Sequence, residues 1–523
     1  MALPRDAYRE LEDILGQENI SQDPAVIDTY AFQRFYPGNK SPFLIRPEAV
    51  VLPGSTHEVQ AVIKLCNRRG IKFRASSTAY GYTVTVSSEG EIFMDMRRMN
   101  RILDLDEKNM RVLVEPYVSF AQVQAEAHKR GLNCQIVGAG SNCSYLASLT
   151  SMDGNNAQAI AFGYAGRNLL GVEWVTPTGE ILRFGSAGVG AGWFSGDGPG
   201  PSIRGIIRGS RGALGGLGVF TKCAGHLRPW PGPQAMEIKG ISPNYETDVL
   251  PLFEYHMLDW PTWEQCADAQ YKIGEERIAF ALHKTAGPGS HGQTVTGSNN
   301  EYWEKWDQLK DIPEISLVIV MAANSPEEHA YQVKVLDSIL ADTGGRITPI
   351  GETPFFKNRD FINMIKSCFV PRSAFRTSGS FFIDGLLAHG TVDNCAMGLK
   401  LDAGLRQKYV DKGIIGDDGT YNSWGVTFEG GHMALFECGH FWDPLDEQSS
   451  KGILEMVDDG VEICMQTPFN TCWGTVAGKI RGTKEVAVGP LCYNYQNWMR
   501  KIKSAFDPNS VSDLSGYISP EEE

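Results

Sequence analysis

Val50-Val51-Leu52-Pro53-Gly54-Ser55-Thr56-His57-Glu58 is the stretch whose reading decides the fold. A short apolar run stops at Pro53-Gly54. Ser55 and Glu58 then stand at capping-box spacing, and Val59, Val62, Ile63 and Cys66 follow at i, i+3, i+4 and i+7. The spacing predicts a helix that ends at Gly70, with Ile71-Lys72-Phe73-Arg74 opening a second strand. Outward from there, residues 92–96 and 112–114 read as strands. Ser119 and Gln122 cap a helix that ends at Gly131. The first half therefore alternates strands and helices.

Further along, residues 171–176 and 180–182 bracket the turn Pro177-Thr178-Gly179 as a hairpin. Pro229-Trp230-Pro231-Gly232-Pro233 reads as a linker, because closely spaced prolines continue neither helix nor sheet. Leu317-Val318-Ile319-Val320 is a buried-strand candidate. Ser325 caps a helix with Pro326 in its first turn, and that helix ends near Gly344. A helix from Trp498 to Phe506 precedes Asp507-Pro508-Asn509 and is expected to return to the first domain.

Composition bounds the function. The chain has 523 residues, 48 Lys+Arg against 62 Asp+Glu, and a net charge of −14. An acidic chain without a basic block repels nucleic acid and anionic lipid, so neither is an expected partner. At 42% hydrophobic residues it has ample surface to bury. Eleven Cys occur without a CxxC spacing, which argues against a zinc ribbon or an iron–sulfur cluster. No apolar run reaches the ~20 residues of a membrane span, and no signal pattern opens the chain, so a cytoplasmic protein is expected.

No dinucleotide fingerprint and no Walker loop appear; Gly138-Ala139-Gly140 is followed by Cys143 where a third glycine belongs. Instead, glycine-rich or small-polar loops follow strands at residues 76–82, 138–144, 163–167 and 209–218. Such loops turn backbone N–H groups onto a diphosphate without side-chain charge.

On four stretches the chain resembles the vanillyl-alcohol oxidase / p-cresol methylhydroxylase flavoproteins, a family that includes FAD-linked D-lactate dehydrogenases, glycolate oxidase flavin subunits and alkyldihydroxyacetonephosphate synthase. They are residues 46–53 with the helix that follows; 76–102, ending Met96-Arg97-Arg98-Met99-Asn100-Arg101-Ile102; Val114-Glu115-Pro116; and 155–229, with Gly163-Tyr164-Ala165-Gly166-Arg167. The resemblance implies an α+β fold: a p-cresol methylhydroxylase (PCMH)-type FAD-binding domain of two α+β subdomains, and an α+β cap on an antiparallel sheet. By position it implies an FAD domain over 1–232, a cap over 233–487 and a returning segment over 488–523.

The same resemblance points to FAD-contacting positions. Ser76, Ser77, Thr78, Ala79, Tyr80 and Gly81 match the first diphosphate loop. Gly138, Ser141, Ser144, Ser148, Ser151, Asn155, Gly163 and Arg167 match stretches along the diphosphate and ring, and Gly218 and Val219 a later segment. The first loop has no histidine, so covalent attachment of the flavin from it is not expected; attachment from the cap stays open.

For the chemistry, Tyr82 matches the phenolate-holding tyrosine of the phenol-oxidising branch. Near that branch's C-terminal arginine the chain carries Asn497, with Arg500 one turn on. The hydroxy-acid branch has a metal-binding His pair and Glu in the cap; here His432 and His440 stand in the equivalent region without a third ligand, so no metal is expected. On an alternating strand the two would share a face, and His440 is the candidate base, with His432 beside it. Arg372 and Arg376 would fall on one helix face as a carboxylate clamp.

The expected activity is an FAD-dependent oxidoreductase taking hydride from a hydroxyl-bearing or phenolic small molecule. The alternatives are a 2-hydroxy-acid dehydrogenase, a non-redox flavin synthase, or a non-catalytic flavin subunit of a complex. Electrons must leave to an external acceptor or an electron-carrier subunit, because the chain has no haem or cluster motif. A homo-oligomer or complex subunit is expected.

Overall fold

The computed structural model describes residues 3–32, 43–78, 86, 88–151, 154–208, 213–241, 244–285, 287–367, 383–417, 424–440, 442–443, 445–467 and 493–513. The opening stretch folds as its pattern dictates. Residues Ala49–Val51 form a fully buried strand, and the helix Thr56–Arg69 follows. The Ser55 hydroxyl accepts from the Glu58 N–H, and Gly70 ends the helix in the left-handed region at φ +64°. The capping box differs in one bond: the Glu58 carboxylate accepts from the Gly54 N–H, one residue earlier than the reciprocal arrangement requires.

Four strands make the first sheet: β1 (Ile20–Ser21), β2 (Ala49–Val51), β3 (Lys72–Ser76) and β4 (Glu91–Asp95), in the order β1-β2-β4-β3. β4 lies parallel to both β2 and β3, and β1 is antiparallel to β2. Val59, Val62, Ile63 and Cys66 bury the helix Thr56–Arg69 against Val51, Phe73, Ile92 and Met94 of this sheet. Next come β5 (Ile102–Asp106), β6 (Arg111–Val114), β7 (Leu132–Asn133), β8 (Leu169–Val175), β9 (Ile181–Arg183), β10 (Val219–His226) and β11 (Arg228–Pro229). Five of them form an antiparallel sheet in the order β5-β6-β10-β8-β9, and β7 pairs with β11. The helix Tyr495–Phe506 packs Met499, Ile502 and Phe506 on this second core, where Phe506 stacks on Trp174 at 4.9 Å.

The third sheet is antiparallel throughout. It contains β12 (Phe253–Asp259), β13 (Ala281–Lys284), β14 (Ser316–Ala322), β15 (Arg346–Ile347), β16 (Ile383–Gly390), β17 (Trp424–Phe428) and β18 (Met433–His440), in the order β15-β12-β14-β13-β17-β18-β16. Its two faces are distinct. Leu282, Leu317, Ile319, Ala434 and Phe436 lie under the helices Trp263–Glu276, Pro326–Thr343, Val392–Asp411 and Glu447–Met465. On the opposite face, Tyr255, Val318 and Val320 meet the helix Pro354–Lys366, and Val426, Phe428, Met433 and Leu435 meet Ala159 and Tyr164.

The proline-rich segment is not a free linker. Pro229 pairs with Leu132 in β7, and Trp230 is buried. Its ring stacks on His128 at 4.2 Å and packs against Phe253, and its indole N–H donates to the Pro233 carbonyl at 2.8 Å. The reason is the tryptophan: prolines stop helix and sheet, but they leave a large apolar ring free to bury.

Candidate functional site

Several of the loops singled out above converge. β3 delivers Ser76, Ser77 and Thr78 at its end, and the Ser144 N–H donates to the Thr78 hydroxyl at 2.9 Å. The Ser76 carbonyl accepts from the Met96 N–H, which ties the loop to the end of β4. Ser144 caps the short helix Tyr145–Thr150, and its hydroxyl donates to the Pro116 carbonyl at 2.6 Å. Gly138 donates its N–H to the Asn155 carbonyl at 2.6 Å, so the two glycine-bearing loops are directly bonded. A Cβ on Gly154 would come 2.5 Å from Val137 Cγ1, 2.6 Å from Ala165 Cβ and 3.1 Å from Ser148 Cβ. Only glycine fits there. The Ser151 carbonyl accepts from the Leu214 N–H, which brings the end of the 209–218 loop alongside.

This cluster lies against the third sheet. The Ser141 N–H donates to the Ser367 carbonyl at 3.1 Å, the Ser367 hydroxyl donates to the Gly138 carbonyl at 3.3 Å, and a Cβ on Gly138 would come 3.1 Å from the Trp424 indole. The Leu282 N–H of β13 donates to the Ala157 carbonyl at 2.7 Å. These bonds fix a neutral, closely packed scaffold, and beside it stand the Ser76, Ser77 and Thr78 hydroxyls and the Ala139 and Asn142 amides. That chemistry fits the diphosphate of FAD.

Three expected positions are engaged elsewhere. Arg167 places its guanidinium 2.8 Å from the Glu429 carboxylate, beside the Gly430-Gly431 turn, and over the Tyr164 ring. It joins the loop before β8 to the third sheet. Gly218 donates its N–H to the Ser512 hydroxyl, and Val219 begins β10 inside the core of the first sheet. These two therefore serve the packing of the C-terminal segment. Gly163 takes φ +71°, and a Cβ there would come 2.8 Å from the Glu429 carboxylate.

The histidine pair does not form. His432 is exposed and precedes β18, because Gly430 and Gly431 take φ +68° and +90° and delay the strand. His440 closes β18, so the seven extended steps of ~3.3 Å from Met433 to His440 span roughly 23 Å and keep the two histidines far apart. His440 shares the parity of Ala434 and Phe436, so it points to the helix-covered face, away from Ala159 and Tyr164. There it is buried, with Nε2 3.1 Å from the Asp402 carboxylate. The expected base over the flavin is thus committed to a helix behind the sheet. Tyr82, Ala79, Tyr80, Gly81, Arg372 and Arg376 lie outside the described residues.

Other groups occupy the face turned to the loops. His389 is cross-strand from Leu435 and lies 6.0 Å from the Phe428 ring. His283 is cross-strand from Val426, beside His291 and Asp360. Burial pushes His283 down to about 3. Burial pulls the Asp360 carboxyl up, but the adjacent histidines and the Tyr255 hydroxyl outweigh it, and the net direction is down. No spacing rule finds this group, since β13 and two helices each give one residue.

Comparison with known proteins decides what the loops are. Residues 47–185 match the family described as "FAD binding domain". This segment is an FAD-binding domain. It contains β2 to β4, the helix Thr56–Arg69 and the Thr78, Gly138, Ser144 and Asn155 loops. The chain is 27% identical over 317 residues to D-lactate dehydrogenase of Anaerostipes hadrus, covering 57% of this chain and 63% of that one. It is 29% identical over 241 residues to 1'-carboxy-chondrochloren decarboxylase of Chondromyces crocatus, covering 43% and 40%. The chain thus spans less than two thirds of the length of both relatives. The fold as a whole is that of p-cresol methylhydroxylase solved with substrate bound: TM-score 0.74 at 16% identity, over 97% of each chain. The FAD-binding domain thus stands in an α+β architecture of PCMH type. Among the described residues, no helix is long and apolar enough to cross a membrane.

Proposed function

We propose that this chain is an FAD-dependent oxidoreductase that oxidises a small molecule at a hydroxyl-bearing or benzylic carbon. The observation that carries the reading is the seam between the FAD-binding domain and the third sheet, where the Gly138 loop meets Trp424 and Ser367. Bound FAD supplies the hydride acceptor. The chain supplies the rest. The hydroxyls of Ser76, Ser77 and Thr78 and the Ala139 and Asn142 amides hold the diphosphate, because the N–H groups of Gly138, Ser141 and Ser144 already donate within the protein; Ser141, Ser148 and Asn155 stand alongside. Trp424, Val426, Phe428 and Leu435 present an apolar face that excludes water from the reacting pair. His389, on that same face, takes the proton-accepting role that the sequence reading gave to His440. Tyr82 and Arg376 keep their proposed roles of orienting a substrate oxygen and clamping a carboxylate.

A 2-hydroxy acid is the narrower reading, favoured by the relative named D-lactate dehydrogenase. Anaerobic titration of the purified protein with D-2-hydroxy acids and with 4-alkylphenols tests both. Bleaching of the flavin by a hydroxy acid supports the narrower reading, and bleaching by the phenols alone replaces it with the benzylic one. A flavin that neither class bleaches, in a protein that forms ethers, overturns net oxidation.

A further inference from the structure

We propose that His283, His291 and Asp360 form a binding site for one divalent transition-metal ion of the zinc type. The three side chains come from β13, the helix Gly287–Val295 and the helix Pro354–Lys366. All are buried, and one ligand atom from each lies within 4.8 Å of the other two. Among the described residues, Nε2 of His283, Nε2 of His291 and Oδ1 of Asp360 have no hydrogen-bond partner. A buried polar atom left open costs ~1–3 kcal/mol, so three in one place call for a common partner. A single cation satisfies all of them.

The donor chemistry selects the ion. Two imidazoles and one carboxylate suit Zn²⁺ and its borderline neighbours and leave a coordination position open. Bonds of ~2.0–2.2 Å require ligand atoms about 3.4 Å apart, so the side chains need to close by roughly 1 Å. The supporting contacts are present. The Tyr255 hydroxyl donates to Asp360 Oδ2 at 2.6 Å and leaves Oδ1 for the ion. The His291 ring stacks on Phe356 at 5.4 Å, which fixes its plane. An imidazolium–carboxylate pair is a poorer solution. His291 Nε2 stands 3.4 Å from Asp360 Oδ2 without forming a hydrogen bond, and His283 Nε2 and Asp360 Oδ1 would stay open. The site uses neither His432 nor His440.

The test is calorimetric titration of ZnCl₂ into the FAD-loaded full chain after dipicolinate treatment, with metal content measured by mass spectrometry. One Zn²⁺ per chain is expected. His291→Gln and Asp360→Asn are each expected to weaken binding about 100-fold or more, with circular dichroism unchanged. His432→Ala is expected to bind as the wild type does. If Asp360→Asn fails to fold, His291→Gln and His283→Gln decide. Failure of the treated wild type to take up zinc overturns the proposal, as does unchanged affinity in His291→Gln or loss of binding in His432→Ala.

Discussion

Gly154 shows how little room the loops leave at the scale of a residue. Val137 and Ala165, which a Cβ there would strike, are themselves buried at 3% and 0% exposure, so neither can retreat. Gly154→Ala is therefore expected to cost about 1–3 kcal/mol, as overpacking of a filled interior does. It should lower both the melting temperature and the FAD retained through gel filtration; a variant that melts and binds like the wild type would refute the close packing. Residue-level signals were legible in the sequence where they are local. Ser55, Ser119 and Ser325 each cap the helix they announce, because a cap depends only on the next three residues. His440 was not legible. Its parity on the strand followed from spacing, but the face that parity selects depends on the helices Val392–Asp411 and Glu447–Met465, which no local pattern places.

Among the elements, β8 shows a charge network holding sheet and helix together. Its Glu173 carboxylate lies 2.8 Å from the Lys222 ammonium of β10, accepts at 2.7 Å from the Thr56 hydroxyl at the start of the helix, and at 2.7 Å from Arg183 of β9. Burial pulls this carboxyl up, but Lys222, Thr56 and Arg183 outweigh it and hold it at about 2. A carboxyl held below its unfolded value adds stability above about pH 4.5, and that stability is lost as pH falls towards 2. Glu173→Gln should consequently be less stable than the wild type in urea at pH 7, with the gap narrowing as pH falls through that window. A gap that stays constant with pH would contradict the assignment. Element existence was legible here: the 171–182 hairpin and Leu317–Val320 are strands at the expected places. The Pro229–Pro233 segment was misread because proline punctuation carries no information on where Trp230 is buried.

The whole molecule sets an FAD-binding domain against an antiparallel sheet. The ordered loops made that domain legible without a dinucleotide fingerprint. The sheet's lining was not, because His283, His291 and Asp360 meet, and His389 joins their face three strands away, only through the order β14-β13-β17-β18-β16 and the helices on it. On the proposed function, neutral main-chain and hydroxyl donors at this seam hold FAD. The visible spectrum and flavin content of the purified full chain test it most directly. A yellow protein that releases about one FAD per chain on denaturation, or takes up that amount when reconstituted, is expected. A folded, colourless protein that binds no added FAD would contradict it.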